Sequence, residues 1–223
     1  TQKAWSGYNW YKGNAHSLIQ VNTDFPIFID RAVDLAAHEG YPGHHVYNAL
    51  LEEHLLRKRG WIEFSVYPLF SPQSLIAEGS ANYGIDIVLP KNDRMAFEKQ
   101  VLFPLAGLDS ATTELYYHIQ ELAGKLSYAG NEAARGFLNN RMNKEQAIHW
   151  LVTYALFDSA RAVQRLHFIE KYRSYVINYN YGQDLVKKYV EKNAGSNSSE
   201  KKRWTVFETL LSSPHTPGEL EQQ

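Results

Sequence analysis

The sequence contains no cysteine among its 223 residues. This absence excludes disulfide bonds, iron–sulfur clusters and catalysis by a thiol. The chain also lacks an excess of positive charge, because 23 Lys and Arg stand against 24 Asp and Glu, for a formal net charge of −1. Nucleic acid and anionic membrane surfaces are therefore not expected as main partners, since binding to them relies on basic side chains that release counterions.

Long hydrophobic runs are missing as well. No stretch approaches the roughly 20 apolar residues of a membrane-spanning helix, and the N-terminus lacks the charged-then-apolar pattern of a signal peptide. Neither observation decides between the cytoplasm and the periplasm. With 44% hydrophobic and 21% charged residues, the composition is that of an ordinary globular protein, and we expect residues 1–223 to form a single domain.

Helical patterns dominate the chain and predict a mainly α fold. A strand is expected only over residues 17–22, with the rest of 8–26 irregular, so any sheet is small and lies near the N-terminus. Residues 195–199, Gly-Ser-Asn-Ser-Ser, predict a short linker before the last helix. The predicted helices cover 30–38, a resumed segment from Val46 to Gly60, 73–88, 92–125 with an interruption at Pro104, a helix from Asn143, one from Asp158 or Ser159 toward Tyr175, 183–193 and 200–212.

Residues 37–45, AHEGYPGHH, contain the candidate metal-binding and catalytic residues. A His-Glu pair on a helix with a second His one turn later is the arrangement of many zinc metallopeptidases, in which the glutamate acts as base toward water at the metal. Here the second histidine is His44 at i+6 or His45 at i+7 from His38. On a regular helix, i+6 lies about 240° around the axis and roughly 9 Å along it, too far to share a metal ion. A break or wide turn is therefore expected over residues 40–43, whose glycines supply conformational freedom.

The third ligand has to come from another segment, and Glu78 is the best candidate. It lies in a largely apolar helical stretch, where an unpaired carboxylate is costly to bury and a metal ion would offset that cost. Glu52 and Glu53 are weaker candidates, which we expect to be solvated. Two imidazoles and one carboxylate, with a fourth position open for water, form a typical catalytic zinc site.

The motif HEGYPGHH at residues 38–45, followed by EG-x-A-x-Y at residues 78–83, resembles the bacterial family called domain of unknown function 885. Members of that family typically carry HEaYPGHH and then EGWAxY. Gly40 and Ser80 replace the usual Ala and Trp, and neither is a proposed ligand. The resemblance covers residues 16 to 185 and weakens after Leu89. The family is placed in the gluzincin clan of zinc metallopeptidases, near thimet oligopeptidase and the carboxypeptidase Taq type.

This resemblance implies a multi-helix gluzincin-like catalytic domain, Zn²⁺ as cofactor and a peptide as substrate. It also implies that the chain is the C-terminal catalytic part of a longer protein, with an additional helical N-terminal region as a possible partner. Zincin motifs often place glycine directly before the second ligand, which favours His44 over His45. The implied metal ligands are then His38, His44 and Glu78, and Glu39 is the catalytic base.

Four tyrosines crowd one stretch near the end of the motif-bearing region: Tyr172, Tyr175, Tyr179 and Tyr181. Two interpretations are open for these tyrosines. Either all four pack in the core and at its rim, or one of the phenols donates a hydrogen bond to the oxyanion of a tetrahedral intermediate. The family usually has a Ser-Tyr-x-x-Gly-like element here, and Tyr179, three residues before Gly182, fits it best. The resemblance therefore assigns a catalytic role to Tyr179, and Tyr175 and Tyr181 are expected to be packing residues.

The principal interpretation is a zinc-dependent hydrolase, most simply a metallopeptidase. Two alternatives stay open: a non-catalytic module that binds peptides or partners on the same fold, and a structural metal site closed by His38, His44, His45 and Glu78. An open coordination position indicates the enzyme, whereas four protein ligands indicate the structural site. Three arginines are candidates for binding a substrate carboxylate, with surface ion pairs as the alternative: Arg161, Arg165 and Arg173.

Overall fold

A computed structural model of the chain describes Lys3 and residues 5–24, 26–195 and 198–222. Its fold is mainly α, as predicted. None of the helices in these ranges combines the length and the apolar character that a bilayer span requires. The helices are α1 Asp30–Leu35, α2 His44–Leu51, α3 Gln73–Val88, α4 Lys91–Phe97, α5 Phe103–Leu105, α6 Thr113–Gly124, α7 Tyr128–Leu138, α8 Lys144–Tyr154, α9 Ser159–Tyr172, α10 Tyr181–Ala194, α11 Glu200–Leu211 and α12 Pro217–Gln222.

A two-stranded antiparallel sheet precedes the helices. Strand β1 runs Gly7–Gly13 and β2 runs His16–Val21, with Tyr8 opposite Gln20 and Trp10 opposite Leu18. The predicted strand is confirmed as β2, but the prediction that its surroundings are irregular was wrong, because β1 pairs with it. The turn between them places Asn14 and Ala15 at positive φ. Neither a Gly pair nor a Pro, which are typical signals of such a turn, marks this hairpin in the sequence.

Helix α3 lies at the centre of the fold and carries Glu78. It packs along α10, and the two helices meet at Gly79 and Gly182, where a Cβ on Gly79 would lie only 2.3 Å from the Gly182 carbonyl group. The backbones therefore approach closely, and the chain entering α10 is held beside Glu78. The main core around this crossing includes buried residues from α2, α3, α10 and α11: Tyr47, Leu51, Ile76, Ala77, Val186, Val190, Phe207 and Leu210.

The region predicted as one helix over 92–125 is divided differently. A π-helical turn, Glu98–Leu102, joins α4 to α5, and Pro104 is accepted in the first turn of α5, where a missing N–H costs nothing. The break comes just afterwards, at Gly107 with φ +69°, and Asp109 then caps the turn that leads into α6. The expected interruption at Pro104 is therefore shifted by a few residues, because proline is tolerated at a helix start.

Capping residues mark the later helices where the sequence predicted them. Asn143 forms a reciprocal capping box with Gln146 at the start of α8, and the Asp158 side chain accepts from the Arg161 amide at the start of α9. Helix α9 ends at Tyr172, and a 3₁₀ segment follows it over Arg173–Asn178. Helices α7 and α12 were not predicted, so the expectation that the helix over 200–212 is the last one was wrong.

Gly195 ends α10 at φ +93° and Ser199 caps α11, so these two helices flank the segment predicted as a linker. Two residues of that linker, Ser196 and Asn197, lie outside the described residues.

Candidate metal centre

The helix that carries His38 and Glu39 breaks at the predicted place. Helix α1 continues as a π-helical turn over Ala36–Gly40, after which Tyr41 is extended and α2 begins at His44. The Tyr41 amide donates to the Ala36 carbonyl over 3.3 Å, and the Gly43 amide donates to the Ala37 carbonyl over 2.9 Å. The chain thus folds back on the preceding turn, which confirms the prediction of a break over residues 40–43.

Gly43 makes this tight return possible. A Cβ at this position would lie 1.9 Å from the His38 carbonyl oxygen and 2.6 Å from that of Ala37. No other residue fits without moving the backbone. The close approach brings the start of α2, and with it His44, to the end of the π-helical turn that carries His38.

The structure brings His38, His44 and Glu78 together, with one ligand atom from each lying within 4.8 Å of the others. His38 Nε2 is 3.3 Å from Glu78 Oε2, and His44 Nε2 is 3.5 Å from Glu78 Oε1. The two imidazole rings meet edge to face, with their centroids 4.7 Å apart. All three side chains are at least mostly buried, and they come from three separate elements.

Two of these distances are compatible with a bound metal ion, one to each oxygen of the Glu78 carboxylate. Ligand atoms at about 2.0–2.2 Å from a tetrahedral zinc are separated from one another by roughly 3.3–3.6 Å. Both Nε2–Oε distances fall in that range. Glu78 Oε2 is buried and accepts no hydrogen bond from the described residues, which leaves it available as a ligand. Burial alone would raise the pKa of the Glu78 carboxyl, but the neighbouring imidazoles of His44 and His38 lower it below its ordinary value.

A hydrogen-bonded chain orients the His38 ring. His38 Nδ1 lies 2.8 Å from Asn82 Oδ1, and Asn82 Nδ2 donates to the Tyr179 carbonyl over 2.7 Å. Because the Asn82 amide nitrogen is used on the carbonyl, its oxygen is the acceptor for His38. His38 therefore carries its proton on Nδ1 and presents the Nε2 lone pair to Glu78, as a metal-binding imidazole requires. Sequence reasoning missed Asn82, although it lies one helical turn after Glu78.

Glu39 is buried beside the ligands. Only 4% of the residue is exposed, and its Oε2 has no hydrogen-bond partner among the described residues. Burial raises the pKa of its carboxyl, while the two histidines His38 and His44 oppose that rise. Strand β1 covers it: Asn9 donates to its backbone carbonyl over 2.5 Å, and a Cβ on Gly7 would lie 2.9 Å from its Oε1.

His45 points away from the cluster. Its Nδ1 lies 2.8 Å from Ser17 Oγ on β2, so it holds the hairpin against α2. Among the described residues the ligand group has three members and His45 is not one of them, which disfavours the closed four-ligand site. Glu52 likewise turns toward the hairpin, where it accepts from Tyr11 and pairs with Arg57.

The tyrosines divide into two groups. Tyr175 donates its hydroxyl hydrogen bond to Glu78, and the Tyr179 ring stacks on His38 with centroids 6.5 Å apart. Burial and the charge of Glu78 raise the pKa of both phenols well above 10, so both stay protonated donors. Tyr181 instead donates to Glu221 at the surface. The expectation that Tyr175 is only a packing residue was wrong, because its hydroxyl contacts a candidate ligand.

Tyr8 of β1 is a further neighbour of the site that the sequence did not reveal. Burial raises the pKa of its phenol, and so do the nearby Tyr172, Glu78 and Glu39. Its ring packs on Trp10, two residues along the same face of the strand. Trp10 itself is 44% exposed, and the residues of β1 that contact the helices are Gly7, Asn9 and Tyr11, so aromatic alternation alone would not have identified the face of β1 that covers the site.

Comparison of the chain with protein-family models, curated proteins and solved structures finds no match.

Proposed function

We propose that the protein is a zinc-dependent hydrolase, most simply a metallopeptidase that acts on peptide bonds. The observation that carries the proposal is the separation of the His38 and His44 Nε2 atoms from the Glu78 carboxylate oxygens, which suits one tetrahedral ion. The resemblance of residues 38–45 and 78–83 to gluzincin-clan proteins supports it independently.

Two imidazoles and one carboxylate would hold the ion, as in catalytic zinc sites with three protein ligands. Bound there, zinc would supply Lewis acidity, which polarises a carbonyl group and lowers the pKa of water. The hydrogen bond to Asn82 would keep His38 in the ligating tautomer. The hydrogen bond from Tyr175 would orient the Glu78 carboxylate.

Glu39 is placed to act as general base and then general acid. Its carboxylate follows His38 directly in the chain, is nearly enclosed, and has one oxygen without a partner. Burial raises its pKa toward the range in which a carboxylate takes up a proton from water and releases it to a leaving amine. Tyr179, protonated and stacked on His38, would donate a hydrogen bond to the oxyanion.

Metal content is the first test. Wild-type protein should bind about one equivalent of zinc, and His38→Ala and Glu78→Gln should each lower the affinity by at least about tenfold. The control is His118→Ala, which removes an exposed histidine of α6 and should leave the affinity unchanged. Binding of fewer than about 0.2 equivalents, with no uptake on titration, would overturn the metal site.

A peptide-cleavage assay distinguishes the proposed hydrolase from a non-catalytic binding module and from a structural metal site. Zinc-loaded protein should cleave short peptides, and Glu39→Gln should lower kcat by at least about 100-fold while retaining the metal. Glu53→Gln is the matched control, because this carboxylate is exposed and its ion pair within the described part of the chain is with Lys58. Tight zinc binding without cleavage, together with peptide binding that is indifferent to Glu39→Gln, would favour a non-catalytic binding module.

A further inference from the structure

Arg165 in α9 has no carboxylate partner among the residues that the structure describes. Its guanidinium lies over the Phe168 ring, 5.1 Å from the centroid, and its Nη2 is 3.9 Å from where a Cβ on Gly130 would be. It is half-buried between α9 and α7, yet it makes neither an ion pair nor a hydrogen bond with any part of the chain that the structure describes. A guanidinium held in this way is left with its five donors unused.

The mostly buried Arg94 shows the usual arrangement of such a cation. Arg94, whose side chain is only 15% exposed, binds Asp34 and Glu98 over 2.8 and 2.9 Å. Charged side chains away from water are normally matched by an opposite charge, since desolvation disfavours the lone ion. Burial indeed lowers the pKa of Arg165, and Arg161, one turn earlier, adds like-charge repulsion. An anion at Arg165 would relieve both effects.

A series of aromatic contacts connects the Arg165 guanidinium to the candidate metal centre. Phe168, which the guanidinium covers, packs against the Tyr179 ring with centroids 6.0 Å apart, and Tyr179 stacks on His38. Arg165 also interacts electrostatically with the Tyr179 phenol. Two aromatic rings, those of Phe168 and Tyr179, thus connect the cation to His38, a span that a few residues of extended peptide cover at roughly 3.3–3.6 Å each.

We propose that Arg165 binds a carboxylate of the peptide substrate, so that the metal centre prefers chains with a free carboxylate close to the bond that is cleaved. This inference rests on the proposed hydrolase function. A planar guanidinium is suited to bidentate pairing with a carboxylate, which both strengthens and orients the contact. The carboxylate is either the C-terminus of the peptide or the side chain of an acidic residue.

The test compares three substrates on zinc-loaded protein: tetra-alanine with a free C-terminus, its C-terminal amide, and an amidated tetrapeptide with one Glu. Wild-type protein should cleave the free acid with a kcat/KM about 10- to 100-fold above the amide. A preference for the amidated Glu peptide instead would identify a side-chain carboxylate as the ligand of Arg165. Equal rates on all three peptides would overturn the proposal.

Variants assign the preference to one residue. Arg165→Gln should remove it by slowing the free acid alone, with the amide within about threefold of wild type, and Arg165→Lys should restore part of it. Arg161→Gln is the control, because Arg161 is exposed and its guanidinium lies over Phe157, and it should retain the preference. Loss of the preference in Arg161→Gln but not in Arg165→Gln would overturn the assignment. Thermal melting confirms that each variant is folded.

Binding provides a readout that does not need catalysis. Calorimetry on Glu39→Gln protein should show the free acid binding about 10- to 100-fold tighter than the amide, and Arg165→Gln in that background should equalise them. If wild-type protein cleaves no peptide but this difference in binding persists, the hydrolase proposal fails and Arg165 remains a carboxylate-binding residue. If cleavage occurs without any difference in binding, the Arg165 proposal fails alone.

Discussion

The Tyr175 hydroxyl donates a hydrogen bond to Glu78 Oε1, although 97 residues separate the two in the chain. Glu78 Oε1 is also the oxygen nearest to His44 Nε2, at 3.5 Å. The phenol therefore orients one carboxylate oxygen of a candidate ligand, while Oε2 faces His38. Tyr179 contacts the site in a different way, because its ring stacks on His38 and its backbone carbonyl accepts a hydrogen bond from Asn82.

We predict different defects for the two tyrosines. Tyr175→Phe removes a hydrogen bond to a ligand and should weaken zinc affinity by about 10- to 100-fold. Tyr179→Phe keeps the ring and the carbonyl that binds Asn82, so zinc affinity should hold while kcat falls by about 10²–10³ with little change in KM. Zinc titration and steady-state kinetics on the same preparations measure both effects.

Tyr181→Phe is the control for this pair, because the Tyr181 hydroxyl contacts only Glu221 at the surface among the described residues. It should behave as wild type in both assays. If Tyr175→Phe lowers kcat without affecting zinc affinity, the oxyanion donor is Tyr175. Full activity in Tyr179→Phe would exclude Tyr179 from the chemistry.

The two glycines of the helix break should respond differently to alanine. A Cβ on Gly43 would lie 1.9 Å from the His38 carbonyl oxygen, whereas the nearest atom to a Cβ on Gly40 is Ile19 Cδ1 at 4.0 Å. Gly43→Ala should therefore cost about 3 kcal/mol or more in the free energy of unfolding and disrupt zinc binding. Gly40→Ala should be neutral or stabilising by up to about 1 kcal/mol. Urea denaturation checks both, and equal effects would contradict the described geometry.

Arg94 anchors α1 to α4, and its loss should be costly. Its guanidinium pairs with Asp34 over 2.8 Å and with Glu98 over 2.9 Å, and the Glu98 side chain is fully buried. Arg94→Met leaves that carboxylate without its cation and should cost about 3–5 kcal/mol of unfolding free energy. Arg31→Met is the matched control: Arg31 also pairs with Asp34, but it is 41% exposed, so about 1 kcal/mol or less is expected. Thermal and urea unfolding measure both.

Glu52 should make docking of the hairpin depend on pH. Hydrogen bonds from Tyr11, Arg57 and the Asn14 amide lower the pKa of this carboxyl below 4.5 in the folded protein. The stability it contributes is therefore fully present above the unfolded pKa and is lost as pH falls through the folded pKa. The protection factors of the β1 and β2 amides against hydrogen exchange should therefore fall in that acidic range.

The variant Glu52→Gln isolates this contribution. At pH 7 it should lose about 1 kcal/mol relative to wild type, a modest value because solvent screens the site, and the difference should shrink toward zero in acid. Glu53→Gln serves as control, since Glu53 is exposed and its ion pair among the described residues is with Lys58. A difference between wild type and Glu52→Gln that stays constant with pH would contradict the assignment.

Local features of the chain could be predicted from the sequence. The period of apolar residues indicated the mainly α fold, and caps such as Asn143 and Asp158 marked helix starts because they bond to amides within the next turn. The spacing of His38 and His44 required a break, since the geometry of a regular helix forbids a shared metal at i+6. Glu78 was identified because a carboxylate in an apolar helix needs a partner.

Contacts between distant segments were decided only by the tertiary structure. Periodicity shows which face of an element is buried, but not which residue of another element will meet it. The close crossing at Gly79 and Gly182 brings the Tyr175 hydroxyl to Glu78, and docking of β1 covers Glu39. The unpaired Arg165 could likewise not be recognised from sequence, because its lack of a carboxylate depends on how α7 and α9 pack. Such contacts arise from the packing of whole helices, which no local pattern encodes.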